Sequence, residues 1–578
     1  MSNSIPAKEP GNISILLCGQ AGQGIQTVEQ LLMKILKTSG YYVFTTKEFM
    51  SRVRGGMNST SIRISGSPVS APLNRIDILV PLDKGGISHV SCMLTSQTIV
   101  LGEKDICGGE IPEGVSLVDV PFSKIAAETG NKVYSNTVAV GALLCLLGLE
   151  LEPNLHYIGE FFSGKSEDVV KKNLEAAGKG YRALAGSDTA RTKMSFKGNP
   201  EAKDQLLLSG GEAVALGALA GGCNFISSYP MSPSTSVLSF LAQNGSNFGI
   251  VVEQAEDEIA AINMAIGAWY AGARAMVTTS GGGFALMTEG VSLAGMLESP
   301  MVIHLAQRPG PATGLPTRTE QGDLEFALYG GHGEFPRIIF APGTLEEGFN
   351  LARNAFSIAD KYQVPVLILT DQFFMDSCCN TPFFNLENKR PEKHFIRTAP
   401  GYRRYELTPN GISPRGIPGF GEGLVCVDSD EHDQDGHITE DLVMRTRMVD
   451  KRLKKLESFK AESTPPKLFG TAGCRNLIVC WGSSLSAVRE AVELLGRDDT
   501  AILHFSQVFP LDTEMVREHF SKAGKTILVE GNATGQFGRI LKSCTGVDFH
   551  DKILKYNGLS FASDELAGKI NSCLQEGK

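Results

Sequence analysis

The chain has 578 residues, 42% of them apolar, and a formal net charge of −9. It is too long for one core; at about 150 residues per domain it should hold three or four. The acidic balance argues against nucleic acid or an anionic membrane as the main partner.

The longest apolar run, "VAVGALLCLLGL" (138–149), is shorter than the roughly 20 residues a bilayer core requires. The leading "MSNSIPAKEPGNIS" lacks the basic and apolar regions of a signal peptide, so the cytoplasm is the expected compartment. Twelve cysteines are scattered with no C-x-x-C pair, a spacing that argues against a zinc or iron–sulfur site in this chain. Cys18 and Cys145 lie in apolar segments and read as small buried thiols.

In chain order, "ISILLC" (13–18) reads as a buried strand that breaks into "GQAGQG" and then a helical pattern, "TVEQLLMKILKTSG". Further strands are expected at "IDILVPL" (76–82) and "QTIVLG" (97–102), giving an α/β unit over 1–185. The glycines of "GQAGQG" do not follow G-x-G-x-x-G, and no acid closes a second strand to hold a ribose. A tight turn is the preferred reading over a nucleotide site. Lys47, Arg52 and Arg54 beside Gly55 and Gly56 could attract an anion, but a solvated basic loop or a subunit interface is the preferred reading. A polar linker follows at 186–205.

From 206 to 380 helices rich in Ala and Gly alternate with short apolar strands, which predicts a parallel sheet covered by helices. "YPMSPST" (229–235) follows one strand, "TSGGGFALMTEG" (279–290) spans the end of another, and "QRPGPATGLPTRTEQGD" (307–323) leaves a third. Ligands of open parallel sheets gather at the carboxyl ends of the strands, where Ser232, Ser280 and Arg308 would all sit. Arginine pairs with a carboxylate through two parallel hydrogen bonds.

"VVEQAEDEIAAINMAIG" (251–267) sets Glu253, Glu256, Asp257 and Glu258 against an almost wholly apolar helix, which should be buried. With the helix starting near Asp257, Glu258 shares a stripe with Ile262, Ala265, Ile266 and Trp269, whereas Glu256 lines up with Ala260, Asn263 and Gly267. An acid leading the Ile stripe points inward or at a ligand. The competing reading is that first-turn acids simply answer the helix dipole.

Residues 381–465 read as a bridge rich in Pro, Gly and acids, with "GISPRGIPGFGEG", "DEHDQDGHITED" and then a charged helix. His432 and His437 with Asp430, Glu431, Asp433 and Asp435 set no metal geometry and read as a hydrated loop. A last α/β unit over 466–578 holds "NLIVCWGSS", "TAILHF" and "KTILVEGN".

The order of "YPMSPST", "EDEIAAINMAIGA", "TSGGGFALMTEG", "QRPGPATGLPTRTEQGD" and "HGEFPRIIFAPG" resembles that of the 2-oxoacid:ferredoxin oxidoreductase family. Nearly the whole chain is similar to the family's α subunit with a γ domain fused at its front, the bridge being most like the 2-oxoglutarate-type enzymes. The resemblance implies an α/β, multidomain fold: a parallel-sheet domain that holds the pyrimidine of thiamine diphosphate, flanked by the γ domain and a domain like the transketolase C-terminal one. In that last domain "VEGNATGQFGR" (529–539) is expected at a subunit interface.

By the same resemblance, the acid leading the apolar helix bonds the pyrimidine nitrogen opposite the exocyclic amine. That bond favours the imino tautomer and so generates the ylid. Alignment on "IGA" (266–268) gives this role to Glu258, with Glu256 as the alternative. Arg308 matches the substrate-carboxylate clamp, Ser232 the hydroxyl near the reacting carbonyl, and Pro230 and Gly282 lie beside the ring. Arg318 is a candidate, on position alone, for a distal carboxylate. Met231 and Ser232 stand where the family has Ile and Thr, Gly282 where Pro is common, and Ala21 where Gly is usual.

The family binds the diphosphate through Mg²⁺ on a Gly-Asp-Gly turn, and this sequence contains none. The expectation is therefore half an active site, with no metal in this chain. A β subunit, in an (αβ)₂ assembly, would supply Mg²⁺, the diphosphate site and a [4Fe-4S] cluster. The 2-oxoacid, coenzyme A and ferredoxin complete the reaction, with neither nucleic acid nor membrane as partner. Pyruvate or a branched 2-oxoacid as substrate, a non-catalytic assembly subunit, and a nicotinamide-dependent dehydrogenase using "GQAGQG" stand as the rival readings.

Overall fold

The computed structural model describes residues 11–20, 22–50, 56–107, 111–186, 196–386 and 391–575. Ala21, Arg52, Arg54, Gly55 and residues 187–195 of the expected linker lie outside the described residues. The chain divides into two compact units: residues 1–208 with 377–383 and 562–568, and residues 209–376 with 384–561 and 569–578.

The first unit is built on an eight-stranded mixed sheet. Its strand Asn12–Gln20 lies antiparallel to Met57–Ser65 and parallel to Ile78–Pro81. Seven successive residues of that strand from Ile13 are buried, so an unbroken apolar run is what the position selects. The stretch too short for a membrane becomes the buried helix Ser135–Leu146. It meets helix Glu167–Leu184 backbone to backbone: a Cβ on Gly141 would lie 2.0 Å from Ala177 O, and one on Gly180 2.1 Å from Val138 O. Its apolar surface is therefore spent on a protein core. No helix among the described residues is long and apolar enough to cross a membrane.

The second unit carries a seven-stranded sheet. Starting from one edge, its strands run Val251–Gln254, Phe225–Ser228, Ala275–Thr279, Met301–Gln307, Pro365–Asp371, Ile338–Phe340 and Gln507–Phe509. All neighbours are parallel except the last pair. From Phe225–Ser228 the chain moves to the edge strand, and from Ala275–Thr279 it moves the opposite way. The carboxyl ends of these two adjacent strands therefore flank a topological switch point, where open α/β sheets have their ligand crevice. A five-stranded sheet, with Asn476–Trp481 between Thr500–Phe505 and Lys525–Glu530, completes the unit.

The bridge's charged helix, Leu442–Phe459, buries Lys451 and Lys455. Their Nζ atoms lie 2.6 and 2.5 Å from the carboxylate of buried Glu298. Burial alone would raise the Glu298 pKa, but Lys455, Lys451 and the nearby Arg404 hold it well below the usual carboxylate range. A charge-rich sequence here marks a buried ion cluster and not a solvated face. The expected acidic loop is likewise engaged within the protein: Glu431 binds Arg445 and Arg452, Asp433 Oδ1 accepts from Asp435 N and His437 N, and buried His432 stacks on Tyr405. Among the described residues no group of three or more His, Cys, Asp or Glu is placed to hold a metal ion.

Candidate functional site

Two buried hydroxyls tie the strands at the switch point. Ser228 Oγ donates to Thr278 O and accepts from Thr278 N, while Ser227 Oγ donates to Ala261 O at 2.6 Å, which fixes the Glu258–Tyr270 helix to the sheet. Beneath them His304 bridges Thr278 Oγ1 (2.7 Å) and Thr370 Oγ1 (2.9 Å). Burial pushes its imidazole down to about 3, so it is a neutral cross-brace.

Asp257 caps the helix, accepting from Ala260 N at 2.7 Å. That cap answers a first-turn donor and leaves Glu258 to point inward, where it is 3% exposed and its Oε1 has no hydrogen-bond partner. An unpaired buried carboxylate oxygen costs free energy and calls for a ligand. Ile262, Ala265, Ile266 and Trp269 are buried on the same stripe, whereas Glu256, Asn263 and Gly267 are exposed. The helix is not buried all round, as its composition suggested: Ile259 (48% exposed) and Met264 (38%) form an open apolar face.

Helix Gly281–Met296 begins directly across the crevice. A Cβ on Gly283 would lie 2.6 Å from Glu258 Oε1 and 2.1 Å from Thr279 Oγ1, and one on Gly281 2.5 Å from Asp323 Oδ2. Only glycine leaves both carboxylates room. Gly282, between them, faces open space with Ala312 O 3.9 Å from its Cβ position. Ser280 Oγ and Asp323 Oδ2 are buried and unpaired, like Glu258 Oε1. Three such atoms lie around one glycine turn and leave it short of hydrogen-bond partners.

Arg308 leaves the end of strand Met301–Gln307 and donates through Nη1 to Ser232 O at 2.8 Å, joining two loops. Its pKa is lowered by burial and raised by Asp323, and it stays a cation at any physiological pH. Ser232 is exposed and Pro230 half-buried at the rim. Ser234, which precedes the Thr235–Phe248 helix, donates its hydroxyl to Met231 O (2.7 Å) and does not cap the helix with its side chain. The stem of Arg318 packs under Gly558.

Asp323 is the residue that sequence reasoning missed. It closes the quoted segment 307–323, but nothing in its spacing signals that the chain folds back onto Gly281. Burial, with Glu320 adding and Arg308 opposing, pushes its carboxyl up to about 6. Gln307 Oε1 accepts from Asp323 N at 2.9 Å. The "VEGNATGQFGR" segment grips this loop within the chain. Gln321 N donates to Gly531 O (2.7 Å), Asn532 Nδ2 to Gln321 O (3.1 Å), and Gln536 Nε2 to Gly322 O (2.7 Å).

In the first unit the glycine turn is closed on itself. Gln23 accepts from Gln20 N (2.8 Å) and donates to Asp83 (3.0 Å), and Gly24 has φ 79° with Asn136 Nδ2 2.0 Å from its Cβ position. Lys47 pairs with buried Glu29 at 3.3 Å. A cleft lined by Gly22, Gln23 and Gly24 opens beside the turn. No described residue lining it leaves a buried side-chain polar atom unpaired.

A helix-leading buried carboxylate at a sheet's switch point, facing a glycine cradle, has the makings of a ligand site. Residues 216–451 match the family described as pyruvate flavodoxin/ferredoxin oxidoreductase, thiamine diP-bdg, which makes this the thiamine diphosphate-binding domain. Residues 14–183 match pyruvate ferredoxin/flavodoxin oxidoreductase. A 2-oxoacid:ferredoxin oxidoreductase subunit alpha from Sulfolobus sp is 32% identical, with 98% of each chain covered. The chain belongs to the 2-oxoacid:ferredoxin oxidoreductase alpha-subunit family. The 2-oxoglutarate synthase subunit KorA of Archaeoglobus fulgidus is 34% identical over 58% of this chain and 89% of its own. Among solved structures, a 2-oxoglutarate:ferredoxin oxidoreductase from Magnetococcus marinus, with 2-oxoglutarate, coenzyme A and succinyl-CoA bound, is 29% identical. It covers 98% of this chain and 100% of its own, with a TM-score of 0.91.

Proposed function

We propose that this chain is the alpha subunit of a 2-oxoglutarate:ferredoxin oxidoreductase, interconverting 2-oxoglutarate and coenzyme A with succinyl-CoA and CO2. It works with a β subunit in an (αβ)₂ complex. The observation that carries the reading is Glu258 Oε1, buried and unpaired opposite Gly283. Thiamine diphosphate, when bound, supplies the carbanion and the electron sink for decarboxylation. Glu258 holds the proton at the pyrimidine nitrogen opposite the amine, while the side-chain-free Gly281 and Gly283 leave room beside the ring. Pro230 and Gly282 border it. Arg308 binds the 2-oxoacid carboxylate, and the Ser232 hydroxyl binds its carbonyl.

The absence of a Gly-Asp-Gly turn from the sequence supports a β subunit that carries Mg²⁺, the diphosphate and a [4Fe-4S] cluster, with ferredoxin as electron partner. Two similar proteins bear 2-oxoglutarate in their names, which supports the choice of substrate. The test is turnover by the co-purified complex with 2-oxoglutarate, pyruvate and branched 2-oxoacids, given coenzyme A and a low-potential acceptor. 2-Oxoglutarate should have the highest kcat/KM, and Glu258→Ala should lower every rate by about 10²–10⁴-fold. A preference for pyruvate would refute the substrate, and an active Glu258→Ala complex would refute the site.

A further inference from the structure

The five-stranded sheet has a switch point of its own. Strand Asn476–Trp481 lies between parallel Thr500–Phe505 and parallel Lys525–Glu530, and the latter pairs in turn with parallel Asp551–Leu554. From Asn476–Trp481 the chain moves to Thr500–Phe505 on one side; from Lys525–Glu530 it moves to Asp551–Leu554 on the other. The carboxyl ends of these two adjacent strands are where an open parallel sheet takes a ligand.

Here the crevice is filled by the chain itself. Gln321 is buried, and each of its polar groups is bonded to residues at those two strand ends. Its Nε2 donates to Trp481 O at 3.0 Å, and its Oε1 accepts from Ser484 Oγ and Gly531 N, both at 2.8 Å. Its main chain adds N to Gly531 O (2.7 Å) and O from Asn532 Nδ2 (3.1 Å). Glycines clear the space: a Cβ on Gly482 would lie 3.2 Å from Gln321 Nε2, and one on Gly531 3.2 Å from its Oε1. A fully bonded amide between two glycine-lined strand ends is what a bound ligand would look like there.

The segment that carries this amide also serves the first site. Two residues beyond it, Asp323 lies against Gly281, and Asp323 N is held by Gln307, the neighbour of Arg308. Gln307 Nε2 in turn donates to Thr370 O at 3.1 Å, which ties that end to the seven-stranded sheet. Two residues before it, Thr319 Oγ1 donates to Asp371 Oδ1 at 3.2 Å. Residues 310–315, between these anchors, are exposed, so the course of the Arg308 loop is set at its ends.

We infer that Gln321 is a positioning residue, an internal ligand of the five-stranded sheet's crevice, through which that sheet holds the Arg308 loop in its substrate-binding shape. The inference rests on the reading of Arg308 as the substrate clamp. Without the amide, the 319–323 anchor loosens, Asp323 N no longer fixes Gln307, and the arginine beside it shifts. A displacement of about 1 Å at a binding group costs up to about a hundredfold.

The test is steady-state kinetics with 2-oxoglutarate in the assembled complex, for wild type, Gln321→Ala, Ser484→Ala and the double variant. Gln321→Ala should raise the KM about tenfold and change kcat by less than about threefold, a split that general loss of stability does not produce. Ser484→Ala removes one hydroxyl on the crevice side and should raise the KM about threefold, the size of a weak neutral hydrogen bond. The double variant should match Gln321→Ala alone, because the hydroxyl then has no amide to hold. A wild-type KM in either single variant, or effects that multiply in the double variant, overturns the inference. Should Gln321→Ala fail to assemble, Ser484→Ala decides alone, since Gly531 N still holds the amide there. Arg308→Ala separates the two ideas. An unchanged KM there refutes the clamp itself. A raised KM there, together with a wild-type KM in Ser484→Ala, refutes only the positioning role.

Discussion

The chain contains two turns of the same design, strand then glycines then helix, one in each unit, and they differ in how their polar atoms are used. At residues 19–24 the glycines permit left-handed backbone, and Gln23 satisfies its neighbours from within the turn. At residues 280–283 the glycines clear space for two carboxylates from elsewhere in the sequence, and Glu258, Asp323 and Ser280 each keep an unpaired buried oxygen. Both turns join a strand to a helix through glycines; how their polar atoms are satisfied differs. Other buried polar atoms without partners are scattered through the described residues, but three of them gather around this one turn, and each is a position where a ligand could supply the missing bond.

The sharpest way to break this contrast is a methyl group in each turn. Gly283→Ala sets a carbon where Glu258 Oε1 and Thr279 Oγ1 now lie. Turnover of the complex should fall by about a hundredfold or more, as when a catalytic group is displaced by an ångström. Gly24→Ala meets Asn136 and a left-handed φ of 79°, which costs about 1–2 kcal/mol for a residue with a Cβ. Residues 1–208 should become easier to proteolyse while thiamine diphosphate affinity, measured by fluorescence quenching, stays at the wild-type value. Loss of cofactor affinity in Gly24→Ala, or its survival with full activity in Gly283→Ala, would erase the distinction.

A smaller effect separates the cations of the two regions. Lys47 is already committed to Glu29, whereas Arg308 is bonded to a neutral carbonyl. Arg308→Lys keeps the charge and loses the bidentate fork. The KM for the 2-oxoacid should rise about tenfold or more, the worth of one charge-assisted hydrogen bond, with kcat changed less. Lys47→Ala should leave that KM alone.

Local signals in the sequence carried most of this architecture. The apolar run at 13–18, the switch of period at "GQAGQG" and the stripe Glu258, Ile262, Ala265, Ile266, Trp269 all emerge as read. The α/β class with a parallel central sheet follows from the same alternation. What stayed hidden depends on contacts between distant residues. Lys451 and Lys455 look solvated because Glu298 lies more than a hundred and fifty positions away. The open face of the 258–270 helix looks buried because side-chain apolarity does not say which chain covers it. Asp323 looked like the tail of a loop because its meaning comes from Gly281, a residue with no side chain to announce the contact.

Ser232 gives the smallest and most discriminating effect. Its carbonyl oxygen holds Arg308 Nη1 at 2.8 Å, and that bond belongs to the main chain, so alanine keeps it. Its hydroxyl sits on an exposed residue at the rim and is all that Ser232→Ala removes. A neutral hydrogen bond is worth about 1 kcal/mol, so kcat/KM for the 2-oxoacid should fall only about fivefold. Ser232→Thr, which restores the hydroxyl, should recover it. A far larger loss in alanine would mean that the loop's main chain had shifted and Arg308 with it, which the threonine variant would share if its extra methyl also moved the loop. An alanine variant equal to wild type would instead leave the substrate carbonyl to some other donor and reduce this loop to a main-chain bracket for Arg308, whereas the turn at 19–24 is held by the side chain of Gln23.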